Sequence, residues 1–82
     1  MFHTVANVVP LENYKLNIFF SNGVSKIYDL SLLFNTIPAF LTLKNNPNLF
    51  SAVKVDIGGY GIVWNETLDL SCEELWENGI CK

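Results

Sequence analysis

The dipeptide Asn22-Gly23 restricts the possible folds more than any other part of this sequence, because it separates two β-prone runs. In residues 14–20, Leu16, Ile18 and Phe20 alternate with other side chains, which is the pattern of a half-buried strand. Residues 24–29 supply the returning strand. Asn-Gly favours a type I′ turn, whose two central residues both need a positive φ. The sequence therefore predicts an antiparallel hairpin around this dipeptide.

The loop length also predicts the register of this hairpin. With a two-residue loop, Ile18 lies opposite Ile27, and Asn17 lies opposite Tyr28. Ile27 then joins Leu16 and Ile18 on the buried face of the hairpin. A slip of one residue would move every side chain of a strand to the other face, so this register is a specific expectation.

The remaining elements follow from periodicity and from prolines. Residues 4–9 are β-prone and end at Pro10. Helical spacing begins at Leu30, Pro38 interrupts it, and Asn46-Pro47 opens a further turn. A glycine-rich hairpin turn, Gly58-Gly59-Tyr60-Gly61, separates two later strands. We predict the order strand 4–9, strand 14–20, strand 24–29, helices 30–50, strand 53–57, strand 61–64 and helix 72–78.

The C-terminal helix carries the most specific local signals. Ser71 and Glu74 have the spacing of a capping box, in which Ser71 caps the amide of Glu74 and the Glu74 carboxylate reaches back. Leu70 and Leu75 occupy the positions of a hydrophobic staple. Gly79 follows the last helical residue and supplies a stop signal. These signals predict a short helix over residues 72–78.

Together the elements indicate one α+β domain over residues 1–82: a small antiparallel sheet, in the order β-β-β-α-β-β-α, with a broken helical layer on one face. A chain of 82 residues buries only about 60% of its unfolded surface, so its stability is marginal unless something else contributes. Half of the residues are apolar and 16% are charged. Apolar side chains must therefore reach the surface, either scattered singly or as a contiguous patch for self-association.

The charge distribution argues against nucleic acid as a direct partner. The net charge is −3, arginine is absent, and the five lysines are spread along the chain. Nucleic-acid binding usually needs a cluster of Lys and Arg against the phosphates. No segment has the pattern of a targeting signal or a membrane span. We therefore expect a cytoplasmic protein that contacts neither nucleic acid nor membrane.

No pattern indicates catalysis, a metal or a cofactor. His3 is the one histidine, and no nucleophile signature accompanies it. The glycine-rich turn precedes a strand, whereas a phosphate cradle opens a helix. Cys72 and Cys81 have no histidine near them in the sequence to complete a zinc site. We therefore expect reduced structural thiols. The carboxylates of Asp29 and Asp69 are explained as caps or turn residues. We predict that the protein is not an enzyme.

Several short motifs together resemble a small bacterial family, the domain of unknown function 2442. They are Phe20-Ser21-Asn22-Gly23, Tyr28-Asp29-Leu30, Phe40 with Leu43 and Phe50, Gly61-Ile62-Val63-Trp64, and Asp69-Leu70 with Leu75-Trp76. The match covers residues 8–76. It departs from the family pattern at Asn22, where Asp is common, and at Trp76, where Tyr is common.

This resemblance implies a small α+β fold and an accessory or interaction role. The biochemical function of the family is not established. Some members are fused to a helix-turn-helix DNA-binding domain, and others lie beside a second small protein in a toxin–antitoxin-style pair. We expect no helix-turn-helix domain in this chain, which ends at Lys82.

Two candidate sites follow. An acidic C-terminal segment could steer a basic partner and suits an antitoxin-like role; its residues are Glu66, Asp69, Glu73, Glu74 and Glu77. A solvated helix face explains the same charges. We predict a non-enzymatic interaction or accessory module that forms a homo-oligomer or binds a small protein partner. The alternative is a small-ligand-binding or regulatory domain with an aromatic pocket near Trp64, lined by Trp64, Tyr28 and Trp76.

Overall fold

The computed structural model describes residues 3–81. Its strands and α-helices run in chain order as β1 (Val5–Pro10), β2 (Lys15–Phe20), β3 (Ser25–Asp29), α1 (Leu41–Lys44), α2 (Pro47–Ser51), β4 (Lys54–Val55), β5 (Gly61–Asn65), β6 (Leu68–Ser71), α3 (Cys72–Asn78) and β7 (Ile80–Cys81). Short 3-10 turns occupy Glu12–Tyr14, Leu30–Leu33, Pro38–Phe40 and Ile57–Gly59. The predicted α+β class is confirmed.

The strands form two antiparallel sheets. One sheet has four strands in the order β1-β2-β3-β7, and the other has three in the order β4-β5-β6. The turn before β5 packs closely against β1: a Cβ atom at Gly59 would lie 2.7 Å from the carbonyl oxygen of Val5. Gly59 also has a φ of +76°, so both the space and the backbone favour glycine there.

The β2–β3 hairpin has a three-residue loop, and the predicted register is therefore wrong by one residue. Phe20 N–H donates to the carbonyl of Val24 (2.8 Å), and Gly23 N–H donates to the carbonyl of Phe20 (3.0 Å). Gly23 has a φ of +93° and Asn22 has a negative φ, which fits a tight turn followed by a left-handed glycine rather than type I′. Asn17 consequently lies opposite Ile27, not Tyr28.

This shift places Tyr28 on the buried face of the hairpin instead of the predicted Ile27. Tyr28 now lies opposite Leu16 and is 2% exposed, whereas Ile27 points to the other face and is only partly buried. The extra loop residue is the physical reason, because side chains alternate with a period of two along a strand.

The predicted helical region 30–50 is present as four short pieces: two 3-10 turns, α1 and α2. Asp29 begins the first, since its Oδ1 accepts a hydrogen bond from Ser31 N–H (3.1 Å). Asn46 caps α2 by accepting from Leu49 N–H (3.3 Å), and Pro47 follows as the first helical residue.

The C-terminal part adds two strands that the sequence did not predict, β6 and β7, and β4 is shorter than the predicted strand 53–57. A local turn explains β6: Asn65 Oδ1 accepts from the N–H groups of Thr67 (2.9 Å) and Leu68 (3.0 Å) and reverses the chain. Strand β7 pairs Ile80 with Ile27, so it depends on a contact distant in sequence.

Helix α3 spans the predicted residues, and half of its capping box is present. Ser71 Oγ accepts from Glu74 N–H (3.2 Å). The Glu74 carboxylate instead accepts from Tyr28 and Asn78 side chains. Gly79 has an extended backbone, and a Cβ there would lie 2.5 Å from the carbonyl oxygen of Leu75. Gly79 is thus required by a close contact rather than by a left-handed cap.

The apolar side chains of both sheets and of the helical pieces meet in one core. Its fully buried members come from β2, β3, the helical region, β5 and α3; they are Leu16, Ile18, Tyr28, Leu30, Leu43, Ile62 and Leu75. Within residues 3–81, no helix has the length and apolar character needed to cross a bilayer.

Candidate interaction surface

Trp76, in the last turn of α3, lies between a histidine and a lysine side chain. The imidazole of His3 stacks on the indole with ring centroids 3.7 Å apart and planes 17° apart. Lys26 Nζ lies 4.1 Å from the indole centroid. Both groups cannot occupy one side of the ring at these distances, so they cover opposite faces. Phe20 meets the indole edge-to-face at 4.8 Å.

Lys26 also binds the backbone of the same residue. Its ammonium group donates to the carbonyl oxygen of Trp76, near the C-terminal end of α3, where the helix dipole favours a cation. A lysine of β3 thus holds the indole and the end of the helix together. This contact fixes the position of Trp76 relative to the four-stranded sheet.

Beside the indole is a surface cleft of about 340 Å³, lined by His3, Glu73, Trp76 and Glu77. Glu73 and Glu77 are exposed and stand one helical turn apart. Like charges at this spacing destabilise a helix by about 0.2–0.5 kcal/mol. Two exposed carboxylates one turn apart can bind a guanidinium or ammonium group through charge-assisted hydrogen bonds. We call Glu73, Trp76 and Glu77 the α3 surface.

The predicted acidic residues do not all lie together. Glu74 faces inward: its Oε2 accepts from Tyr28 Oη (2.8 Å) and from Asn78 Nδ2 (2.8 Å). Burial is the main cause that raises the pKa of Tyr28, and the hydrogen bond to Glu74 and the negative charges of Glu74 and Asp29 add to it. Glu74 therefore stabilises the contact between α3 and β3.

The other two predicted acids lie on the three-stranded sheet. Glu66 lies in the β5–β6 turn and borders a different cleft, of about 420 Å³, together with Lys54 and Trp64. Asp69 is exposed on β6, opposite Val63. Of the five predicted acids, the structure brings Glu73 and Glu77 together around Trp76.

The predicted aromatic pocket is distributed over two places. Trp64 is 6% exposed; its Nε1–H donates to the carbonyl of Phe50 (3.1 Å), and its ring meets Phe40 edge-to-face at 5.9 Å. Tyr28 is buried against α3, and Trp76 borders the cleft of the α3 surface. Trp64 borders the 420 Å³ cleft. That a small ligand binds near Trp64 stays a prediction.

Reactive groups give little support for chemistry. Both cysteines are free; Cys72 is buried, and burial with a smaller effect of the Glu73 charge raises the pKa of its thiol. Cys81 is exposed on β7. Within residues 3–81, no three His, Cys, Asp or Glu side chains are grouped so that they could hold a metal ion.

The sequence places Glu73 and Glu77 in an acidic segment and Trp76 in a separate aromatic pocket, and it gives no sign that His3 and Lys26 lie beside them. Lys26 is 50 residues from Trp76 in the chain, and His3 is further still. The one available signal was the register: with the three-residue loop, Lys26 lies opposite Ile18 and so on the same side as α3.

Comparisons with known proteins agree with the fold and assign no activity. The family model described as "Protein of unknown function (DUF2442)" matches residues 5–80. No curated protein matches the chain. A crystal structure from Nitrosomonas europaea is similar with a TM-score of 0.78 at 20% identity, over 95% of this chain. This chain spans about half of that protein (49%), which is described as a "Putative DNA Binding Protein".

This similarity overturns one expectation. The spread lysines and the absence of arginine predict that nucleic acid is not a direct partner. A protein with the same fold over 95% of this chain is described as a "Putative DNA Binding Protein", so charge composition does not justify that exclusion. Neither comparison names an enzyme.

Proposed function

The chain belongs to the DUF2442 family, whose function is unknown, and we propose from its geometry that it is a protein-interaction module of antitoxin-like type. The observation that supports this is the α3 surface, where two exposed glutamates flank an indole already in contact with a lysine. On this proposal, the α3 surface binds a basic segment of a protein partner.

The chemistry of the α3 surface defines the partner. An arginine or lysine placed between Glu73 and Glu77 gains from both carboxylates and lies beside the edge of Trp76, because other side chains already cover the two faces of the indole. Tryptophan is among the residues that most often dominate binding energy at interfaces. Acidic groups around it steer a basic partner toward the surface and disfavour an acidic one.

A DNA-binding protein or domain is the partner class that fits this chemistry. Surfaces that bind DNA are rich in Lys and Arg. The Nitrosomonas protein is described as a "Putative DNA Binding Protein" and is about twice as long as the part that this chain matches. We propose that this chain acts alongside a nucleic-acid-binding protein as its acidic accessory module.

Affinity capture from the native cells tests the proposal. The tagged protein should recover one small basic protein in near-equal amount, identified by mass spectrometry. The double variant Glu73→Gln/Glu77→Gln should lose it. The double variant Glu12→Gln/Glu66→Gln removes the same charge from exposed positions outside the α3 surface and should keep it. Nuclease treatment of one half of each lysate shows whether the capture depends on DNA.

The outcomes separate the remaining functions. Equal loss of the partner in both double variants would show that the interaction depends only on net charge. It would contradict the assignment of the α3 surface as the binding site. Capture that disappears with nuclease would indicate nucleic acid as the direct ligand. Recovery of the protein alone would contradict the proposal and favour the small-ligand alternative at the cleft beside Trp64.

A further inference from the structure

His3 lies beside the α3 surface, and the residue that follows it fixes its position. Thr4 is bound twice to the β2–β3 turn: its carbonyl accepts from Ser21 N–H (2.9 Å), and its Oγ1 donates to Ser21 Oγ (2.7 Å). The imidazole of His3 is thereby placed against Trp76, with ring centroids 3.7 Å apart. The start of the four-stranded sheet thus holds an ionisable ring at the surface that we propose for partner binding.

The imidazole and the two glutamates of the α3 surface border the same cleft. His3, Glu73 and Glu77 line it together with Trp76. His3 is partly exposed and both glutamates are exposed, so water reaches all three side chains. Lys26 of β3 is the charged group on the other face of the indole, 4.1 Å from the ring centroid. The two carboxylates therefore share a cleft with the imidazole, whereas the indole ring separates the imidazole from the lysine.

Protonation gives His3 the same chemistry that the α3 surface selects in a partner. A neutral imidazole has one N–H donor, whereas an imidazolium has two and carries a positive charge. A cation over the face of an indole gains cation–π attraction, so the charged ring stays stacked on Trp76. From that position it attracts the carboxylates of Glu73 and Glu77, as an arginine or lysine of the partner does. A charge of this chain then competes with the charge of the partner.

We propose that His3 is a built-in competitor of the basic partner, and that its protonation weakens binding at the α3 surface as the pH falls. This inference rests on the proposed function, because it requires that Glu73 and Glu77 receive a basic group. Imidazole is the side chain that ordinarily gains its charge between about pH 8 and pH 5. A carboxyl group ordinarily keeps its charge over that range. The regulation therefore operates where the glutamates can still bind a cation.

The exposure of the cleft determines the size of the effect. Charge pairs that are open to solvent change an equilibrium by a few-fold at most, because water and salt screen them. A positive charge on His3 should therefore raise the dissociation constant of a basic peptide about threefold between about pH 7.5 and about pH 5.5. The same change measured at high salt should be smaller.

NMR titration with a basic peptide at these two pH values tests the inference. The probe is a peptide of arginine and glycine with blocked ends, because arginine stays charged at both pH values. The dissociation constant, read from the backbone amide signals of α3, should be about threefold higher for the wild type at the lower pH. His3→Phe keeps an aromatic ring beside Trp76 but gains no proton, so it should bind the peptide equally at both pH values. Glu73→Gln/Glu77→Gln removes the two carboxylates and should abolish the binding.

The results distinguish this inference from the proposed function. If the glutamine variant loses the peptide but the wild type and His3→Phe respond to pH alike, the inference is overturned and the proposed function stands. If the wild type binds no peptide at either pH, or the glutamine variant binds as the wild type does, the proposed function is contradicted and the inference with it.

A measurement without peptide checks the contact itself. The indole N–H signal of Trp76 should shift between the two pH values in the wild type, because the charge of the stacked imidazole changes. In His3→Phe the same signal should stay constant. An indole signal that does not respond to pH in the wild type, or that responds equally in His3→Phe, overturns the inference.

Discussion

The two faces of the four-stranded sheet are made by the same strands but are completed in different ways. The inner face carries Leu16 and Ile18, both fully buried by the helical pieces, the second sheet and α3. The outer face carries Val9 and Ile80, which remain exposed. The outer face also carries polar and charged side chains, Lys15 among them, whereas the inner face is largely apolar. The difference comes from which face the rest of this chain covers.

The polar groups on the two faces show the same contrast. Tyr28 on the inner face is 2% exposed, and its hydroxyl donates to Glu74 of α3. Asn17 on the outer face is nearly as buried, but its Oδ1 has no donor within the described residues. Buried polar groups are normally paired. The buried hydroxyl of the inner face is therefore paired within the chain, whereas the buried carbonyl oxygen of the outer face has no donor among residues 3–81.

The largest expected effect comes from truncating one isoleucine on each face. Ile18→Ala opens a cavity in the core and should lower the free energy of unfolding by about 2–5 kcal/mol. Ile27→Ala, on the neighbouring strand but on the outer face, should cost about 1 kcal/mol or less, because the side chain is already partly exposed. Urea unfolding followed by tryptophan fluorescence, at low protein concentration, measures both.

Equal losses of unfolding free energy at the two positions would contradict the observed register and support the predicted two-residue loop. If Ile18→Ala is too unstable to fold, Ile18→Val should still cost about 0.5–1.5 kcal/mol, more than Ile27→Val.

These two isoleucines also show how far the sequence could predict the fold. Local signals worked where the contacts are local: the Ser71 cap and the bounds of α3 follow from residues within one turn. The hairpin was predictable, but its loop length was not, since Asn22-Gly23 fits both a type I′ turn and the second half of a three-residue loop. Strand β7 forms only because Ile80 reaches Ile27, a pairing that no local pattern reveals.

The next effect, on the inner face, depends on pH. The pKa of Tyr28 is raised in the folded protein, chiefly by burial, whereas an unfolded tyrosine titrates near 10. Below about pH 10 both states keep the proton and the contribution of Tyr28 is fully present. Above it the unfolded chain loses the proton first, so the free energy of unfolding falls by about 1.4 kcal/mol per pH unit.

Tyr28→Phe removes this group and should make the alkaline decrease in unfolding free energy shallower by that amount. Tyr60→Phe changes a tyrosine that is 63% exposed and should leave the decrease as in the wild type. Urea titrations at several pH values between neutral and strongly alkaline compare the three proteins. Parallel curves for Tyr28→Phe and the wild type would show that Tyr28 ionises equally in both states.

The candidate site was less predictable than the fold for a related reason. Composition identified the acidic segment, and Glu73 and Glu77 do lie together at Trp76. The same reasoning grouped Glu74 with them, although it faces Tyr28. A carboxylate on a short helix can turn inward or outward, and the choice depends on a side chain of another strand. Asn17 gave no signal at all, because an asparagine in a strand normally indicates the solvated side.

The smallest expected effect has the opposite sign and tests the outer face directly. Asn17→Leu replaces the unpaired carboxamide by an apolar group of similar size, so the free energy of unfolding should rise by about 1 kcal/mol at protein concentrations where the chain is monomeric. Asn7→Leu makes the same change at an exposed position one row away and should stay within about 0.5 kcal/mol of the wild type. Urea unfolding of the three proteins distinguishes the cases. If Asn17→Leu destabilises the chain as strongly as a core truncation, the carboxamide is already paired in the monomer, and the outer face is as complete as the inner one.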